Sequence, residues 1–134
     1  MISNGRIHLE RHALAETAAP MRHAVAAFLQ AMGVPDMLRI DVITALGEAI
    51  ANVIEHAYRP NRGGHIAVSA LLGSDGILTV HVVDRGAFAG PQTMPDRGFG
   101  LKIIRAVAYA IDLDTRAGTA LTMRFHVSGN RLPR

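Results

Sequence analysis

The order of predicted elements indicates an α+β fold, a two-layer α/β sandwich in which helices cover one face of a mixed, mostly antiparallel sheet. Apolar residues alternate with a period of two in several short segments, and they recur at helical spacing in three longer ones. The resulting order is strand, two helices, two strands, loop, helix and two strands, which is typical of this architecture. At 134 residues, the chain is expected to form a single domain over 1–134.

The first three predicted elements are a strand and two helices. Residues 6–12 alternate apolar and polar side chains, which predicts a strand. Residues 17–32 carry apolar residues at helical spacing, and the Gly-Val-Pro sequence at 33–35 is typical of a helix end. Asp36 is then expected to cap a second helix that runs to about Tyr58.

The remainder of the chain is predicted to be mainly strand. Strands at 65–72 and 76–84 are joined by a Ser-Asp-Gly turn, so we expect an antiparallel hairpin. Residues 85–98 are rich in Gly and Pro and show little periodicity, which predicts a loop. A helix at 99–110 and a last pair of strands, at 111–116 and 119–127, complete the order.

Composition argues against several classes of protein. No apolar run approaches the ~20 residues that a membrane helix needs, and the first residues lack the apolar stretch of a secretory signal, so a cytoplasmic location without membrane attachment is expected. The absence of cysteine excludes disulfides and thiolate metal sites. The net charge of +3 is carried by scattered arginines with few aromatic residues, so direct nucleic-acid binding is not expected.

The second helix carries the first candidate site residues. On a helical wheel, Glu48 and Asn52 stack one turn apart on a polar face, opposite a buried stripe formed by Val42, Ile43, Leu46, Ile50, Val53, Ile54 and Ala57. A solvated polar face needs no ligand to explain it. Asn is, however, a poor helix former. A carbonyl oxygen one turn from a carboxylate suits Mg²⁺, which keeps several waters and takes other ligands from phosphate.

Two glycine turns supply further candidates. Asp84 ends a predicted strand, where a carboxylate can accept a hydrogen bond from an amine such as adenine N6, and Gly86 lets backbone approach a flat ring. Gly98 and Gly100 open a helix, where free backbone N–H groups bind anions, and Lys102 stands beside them. Each turn is common by itself, and neither matches a P-loop or a dinucleotide fingerprint.

Taken together, these motifs resemble those of the histidine-kinase-like ATPases, the superfamily that includes gyrase, heat-shock chaperone and mismatch-repair ATPases. EAIANVIEHAY at 48–58 is similar to the N-box, in wording typical of bacterial anti-sigma-factor serine/threonine kinases. DRG at 84–86 is similar to the adenine-binding box, GFGL at 98–101 to the second glycine box, and GTALT at 118–122 to the final strand motif. The resemblance covers residues 7–127 and implies the histidine-kinase-like ATPase fold.

The resemblance implies ATP and Mg²⁺ as cofactors and a role for each matching residue. The nucleotide-binding residues that it implies are Asn52, Asp84, Gly86, Gly98, Gly100, Leu101, Lys102 and Thr119. Among these, Asn52 would also be the metal ligand, and Asp84 would hold the adenine amine. Glu48 would be the catalytic general base, which takes the proton from a protein serine or threonine hydroxyl during attack on the γ-phosphate.

The function that the resemblance implies is that of an anti-sigma-factor-type protein serine/threonine kinase. Such a protein phosphorylates an anti-sigma antagonist, sequesters a sigma factor, or does both. The resemblance also implies a homodimer through the first strand and helix, with Arg22 on a partner-docking surface. Residues 87–97 leave a shorter ATP lid than related kinases usually have, so two alternatives stay open. One is a non-catalytic module whose partner affinity depends on ATP or ADP, and the other is a relative that binds no nucleotide.

Overall fold

A five-stranded sheet forms one layer of the protein. The computed structural model describes residues 4–57, 64–84, 101–114 and 119–127. The strands are β1 (Gly5–His12), β2 (His65–Leu72), β3 (Ile77–Asp84), β4 (Ala110–Asp114) and β5 (Ala120–His126). Their order across the sheet is β1-β2-β3-β5-β4, and the four pairings between the described strands are antiparallel.

Helices form the second layer and cover one face of the sheet. They are α1 (Ala18–Ala31), which follows a short 3-10 turn, α2 (Asp36–Asn52) and α3 (Leu101–Val107). Alternate strand residues such as Ile66, Val68 and Ala70 share one buried cluster with residues of the three helices. The predicted α+β sandwich is therefore confirmed. None of the described helices combines the length and apolar character that a membrane span requires.

The predicted end of α1 is confirmed in detail. Gly33 adopts the left-handed conformation, with φ of 87°. The Gly33 N–H donates to the Gln30 carbonyl at 3.1 Å, and the Val34 N–H donates to the Leu29 carbonyl at 3.0 Å, which is the Schellman pattern. Val34 is 1% exposed and belongs to the core. The chain therefore turns tightly into α2 without losing core contacts.

The beginning of α2 differs from the prediction. Pro35, and not Asp36, is the N-cap residue, and Asp36 is the first residue of the helix. The Asp36 carboxylate instead pairs with the Arg39 guanidinium one turn later, at 2.7 Å between Oδ1 and Nη2. Arg39 also donates to the Val34 carbonyl at 2.9 Å, which ties the first turn of α2 to the residues before it.

Two later boundaries also differ from the prediction. Strand β3 begins at Ile77 and not at Gly76, because Gly76 has φ of 82° and belongs to the turn. The helix predicted at 99–110 ends at Val107, and residues 99 and 100 lie outside the described ranges. Ala110 instead begins β4, where it pairs with Arg124 of β5. The residues after Val107 fit a helix as well as a strand by their own propensities. Pairing with β5 therefore determines that the chain continues as a strand.

Candidate functional site

Three polar side chains are buried together where the C-terminal end of α2 meets two neighbouring strands. Asn52 ends α2, Asp84 ends β3 and Thr119 precedes β5 by one residue. Their exposed fractions are 6%, 6% and 2%, and they are the buried polar residues of the described part of the chain. We call these three residues the polar trio. Burial of polar groups costs free energy unless they are hydrogen-bonded, so this cluster requires an explanation.

Asp84 and Thr119 are joined by reciprocal hydrogen bonds. The Thr119 N–H donates to Oδ2 of Asp84 at 2.7 Å, and the Asp84 N–H donates to the Thr119 carbonyl at 2.9 Å. These bonds lie directly beyond the Val83–Ala120 pair, the last of the β3–β5 register. A carboxylate has about four lone-pair sites, so the bond from Thr119 orients it while using one of them.

Two buried atoms of the polar trio, Nδ2 of Asn52 and Oγ1 of Thr119, have no hydrogen-bond partner among the described residues. Both residues line a cavity of about 10 Å³, together with Ala49, Val53 and Leu121. A single water needs about 10–15 Å³, whereas pockets that bury a small molecule measure about 300–1,000 Å³. The cavity is therefore a small void beside the polar trio and is not itself a nucleotide pocket. Each unpaired atom costs about 1–3 kcal/mol.

The prediction that Asn52 lies on an exposed helix face is wrong. Asn52 is 6% exposed, and Glu48, one turn earlier, is partly buried. The small residues Ala45 and Ala49 are also buried, which widens the buried side of α2 beyond the predicted stripe. The cavity that Asn52 shares with Thr119 and Leu121 shows the reason, because the start of β5 packs against this side of the helix.

The α-helix changes to a π-helical turn immediately after Asn52. Val53–Ala57 forms this turn, so α2 ends before the predicted Tyr58, which lies outside the described residues. The wider turn changes the angular position of the residues that follow it. Single π-helical turns occur frequently at functional sites. The sequence pattern did not reveal this turn.

The remaining predicted site residues lie on α2, at the beginning of α3 or outside the described ranges. Leu101 begins α3, and Lys102 follows it with an exposed side chain. Glu48 lies four residues before Asn52, and within the described ranges no hydrogen bond or ion pair involves its carboxylate. Three predicted glycines lie outside the described residues: Gly86, Gly98 and Gly100. The structure therefore brings Asn52, Asp84 and Thr119 together, with Glu48 one turn away.

The polar trio combines hydrogen-bonding groups with a candidate cation ligand. It offers an amide, a carboxylate and a hydroxyl in a largely apolar setting. Nowhere in the described ranges does a group of three or more His, Asp or Glu residues form a metal site. Mg²⁺ nevertheless fits, because it binds through one or two protein oxygens plus water and phosphate.

Comparison with known proteins identifies the family of the chain. The family model of the histidine kinase-like ATPase domain matches residues 12–125, most of the chain. The chain belongs to this family. The resemblance carried by the sequence motifs is thereby confirmed, and the polar trio lies within the matched region of a histidine kinase-like ATPase domain.

Individual relatives of this histidine kinase-like ATPase domain include bacterial regulators. The chain is 25% identical over 130 residues to an anti-sigma F factor from Clostridium beijerinckii, covering 87% of this chain and 90% of the relative. The structure of the RsbU and RsbW domains of Rv1364c from Mycobacterium tuberculosis matches with a TM-score of 0.74 and 24% identity. That match covers 97% of this chain and 34% of the larger one.

A more distant likeness is to the histidine kinase domain of the Erythrobacter litoralis EL346 blue-light activated histidine kinase. Its TM-score is 0.56 at 14% identity, covering 84% of this chain and 60% of that one. At these identities, both structural matches show the shared fold alone.

Proposed function

We propose that this chain binds ATP with Mg²⁺ at the polar trio. The observation that carries the proposal is the burial of Asn52, Asp84 and Thr119 in an ATPase-domain family, with two of their polar atoms unpaired. A ligand that bonds to these atoms would offset the free-energy cost of burying them. The site would extend over Gly86, Gly98, Gly100, Leu101 and Lys102, as the motif resemblance implies.

Each member of the polar trio has a distinct role in this proposal. Asp84 would accept a hydrogen bond from the exocyclic amine of adenine, with its carboxylate held by the Thr119 N–H at 2.7 Å. The Thr119 hydroxyl would contact the base or a water beside it. The side-chain oxygen of Asn52 would be the metal ligand, and its unpaired Nδ2 would donate a hydrogen bond to an oxygen of the nucleotide. When bound, Mg²⁺ neutralises charge on the phosphate oxygens.

We propose further that the chain is a protein serine/threonine kinase with Glu48 as the general base. A serine or threonine hydroxyl oxygen on a partner protein forms a bond to the γ-phosphorus. The bond from that phosphorus to the bridging oxygen breaks, and ADP leaves with the electron pair. Glu48, one turn from Asn52 on α2, takes the hydroxyl proton.

The similarity to an anti-sigma F factor supports a choice of partners. The substrate would be an anti-sigma antagonist protein, and a sigma factor would be the protein that is sequestered. We propose that the chain acts as one domain over 1–134 in the cytoplasm, with homodimerisation through β1 and α1 and no direct contact with nucleic acid.

A second candidate function is a non-catalytic module whose partner affinity depends on the bound nucleotide. It is favoured by the short interval at 87–97, which leaves few residues to close over the γ-phosphate. This function requires the partner to bind the ATP state and the ADP state with different affinities. A ligand that binds two states equally well does not change the equilibrium between them.

A phosphorylation assay separates the two candidates. Wild type, Glu48→Gln and the control Glu55→Gln, which alters an exposed acid beyond Asn52, are incubated with Mg-ATP and candidate antagonist proteins. We expect wild type and Glu55→Gln to label a serine or threonine. Glu48→Gln should be slower by about 10²–10⁴-fold, with ATP affinity within about twofold of wild type. Full activity in Glu48→Gln would exclude its role as base, and nucleotide-dependent partner affinity without labelling would favour the second candidate.

A further inference from the structure

A groove lies at the opposite end of α2 from the polar trio. It has a volume of about 280 Å³ and opens between the beginning of α2, the end of α3 and the end of β5. The helical rise places its residue Asp41 about 16 Å from Asn52 along the axis of α2. The groove is therefore separate from the candidate nucleotide site. Its lining includes Met37, Asp41, Val107, Tyr109, Phe125 and His126.

The rim of this groove exposes large apolar side chains. Met37 is 77% exposed and Tyr109 is 52% exposed. Ile40 lies outside the groove lining, one turn after Met37 on α2, and is 61% exposed. The Tyr109 ring stacks on the His126 imidazole, with centroids 3.9 Å apart and planes 21° apart, so the two rings form one wall. Phe125, at 1% exposure, provides an apolar floor. Exposed apolar side chains that cluster around a concave surface are typical of interaction sites.

The groove also contains the carboxylate of Asp41, which could pair with a cation of a binding partner. Asp41 is partly buried and lies one turn after Met37. Among the residues that the structure describes, none forms a hydrogen bond or ion pair with this carboxylate. The more exposed Asp36, at the start of the same helix, is already paired with Arg39. A carboxylate beside apolar surface interacts with an incoming cation more strongly than a fully solvated one does, because water screens the charges less.

We propose that this groove is a docking site for a basic amphipathic helix of another protein. An apolar side chain of that helix fills the groove between Met37 and Tyr109, and a Lys or Arg one turn away pairs with Asp41. Helix-in-groove recognition uses this spacing of anchors at i, i+3 and i+4. A wholly apolar occupant would bury the Asp41 carboxylate without a partner, and that costs free energy.

The openness of the groove favours side chains of a protein over a small molecule. Pockets for small molecules enclose most of the ligand surface, whereas this groove, with a volume of about 280 Å³, is open to solvent. One or two anchoring side chains fit such a space, while the rest of the partner helix lies across Met37 and Ile40.

A peptide-display selection tests this proposal. Helical peptides of about 16 residues, four to five turns, carry randomised residues at the anchor positions and at the flanking positions and are selected on the full chain. Selected peptides are then titrated into wild type, Asp41→Lys, Met37→Glu and Asp112→Lys. The last variant is the matched control, because Asp112 is an exposed acid on β4, away from the groove lining.

We expect selected peptides to combine an apolar anchor with Lys or Arg one turn away. Their affinity should fall at least tenfold in Asp41→Lys and Met37→Glu and stay unchanged in Asp112→Lys. Exchange of the peptide cation for Glu should restore binding to Asp41→Lys. Unchanged thermal unfolding would show that the variants are folded.

Three results would overturn the proposal. They are a selection that enriches no such peptides, peptides that bind Asp41→Lys as well as wild type, and concentration-dependent self-association that Met37→Glu abolishes. The last result would identify a second copy of this chain as the occupant of the groove.

Discussion

The Thr119 hydroxyl lies in the interior of the protein, without a hydrogen-bond partner, in a position where an apolar side chain would be more stable. It is 2% exposed, and it lines a cavity of about 10 Å³. An unpaired buried hydroxyl destabilises a protein unless a ligand bonds to it. We therefore expect the Thr119 hydroxyl to lower the stability of the protein without ligand and to strengthen nucleotide binding.

We predict that Thr119→Val stabilises the protein without ligand and weakens Mg-ATP binding. Removal of the unpaired hydroxyl should raise the free energy of unfolding by about 1 kcal/mol, and ATP affinity should fall at least tenfold. Urea denaturation and calorimetric titration measure the two effects. Thr122→Val is the control, because Thr122 Oγ1 already bonds to His81 Nδ1 at 2.9 Å, so no gain is expected. A less stable Thr119→Val with unchanged ATP affinity would contradict the role of Thr119.

Motif resemblance named all three members of the polar trio, but helical periodicity misjudged the surroundings of Asn52. Motif resemblance named Asn52, Asp84 and Thr119, and the structure places them together. Helical periodicity placed Asn52 on a solvated face because a polar residue beside Glu48 fits that pattern. Its burial results from contact with β5, a segment some 70 residues away that a helical wheel does not include.

At the scale of elements, α1 and α2 approach each other closely at a glycine within α2. A Cβ atom added at Gly47 would lie 3.2 Å from Cδ of Arg22. Arg22 is partly buried, so its aliphatic stem lies along α2. The partner-docking role that the motif resemblance implies for Arg22 remains a prediction, and it would involve the guanidinium group beyond this stem.

We predict opposite effects of two Gly-to-Ala substitutions. In Gly47→Ala, alanine favours the helix interior by about 1 kcal/mol, and the flexible Arg22 side chain can shift by the small distance required, so we expect a net gain of about 0.5 kcal/mol. Gly33→Ala should lose about 1–2 kcal/mol, because an L-residue disfavours the left-handed conformation that Gly33 adopts. Urea denaturation of both variants measures the change in the free energy of unfolding. Changes of the same sign in the two variants would contradict the different roles given to these glycines.

The elements that were predicted best are those with strong local signals. Strand β2 spans His65–Leu72 as predicted, and α1 ends at its Gly-Val-Pro sequence. The ends of α2 and α3 were predicted less well. The π-helical turn at Val53–Ala57 depends on backbone hydrogen bonds that no residue type specifies. The end of α3 depends on pairing between β4 and β5, which is a tertiary effect.

At the scale of the whole molecule, the order of strands creates the candidate site. Turn residues predicted the β2–β3 hairpin, and the predicted pairing of the last two strands is also present. Local signals did not indicate that β5 lies between β3 and β4. This placement brings Asp84 at the end of β3 beside Thr119 before β5, although 35 positions separate them in the sequence. Thr119 also lines a cavity with Ala49 and Asn52, so this pair lies beside the C-terminal end of α2.

Calorimetric titration of wild type and Asp84→Asn with Mg-ATP tests the central claim most directly. Asn keeps the size of Asp and an oxygen that can accept the Thr119 N–H, so the variant should stay folded, which circular dichroism checks. We predict saturable binding to one site in wild type and at least tenfold weaker binding in Asp84→Asn. Absence of binding by folded wild type, or equal affinity in the two proteins, would contradict nucleotide binding at the polar trio.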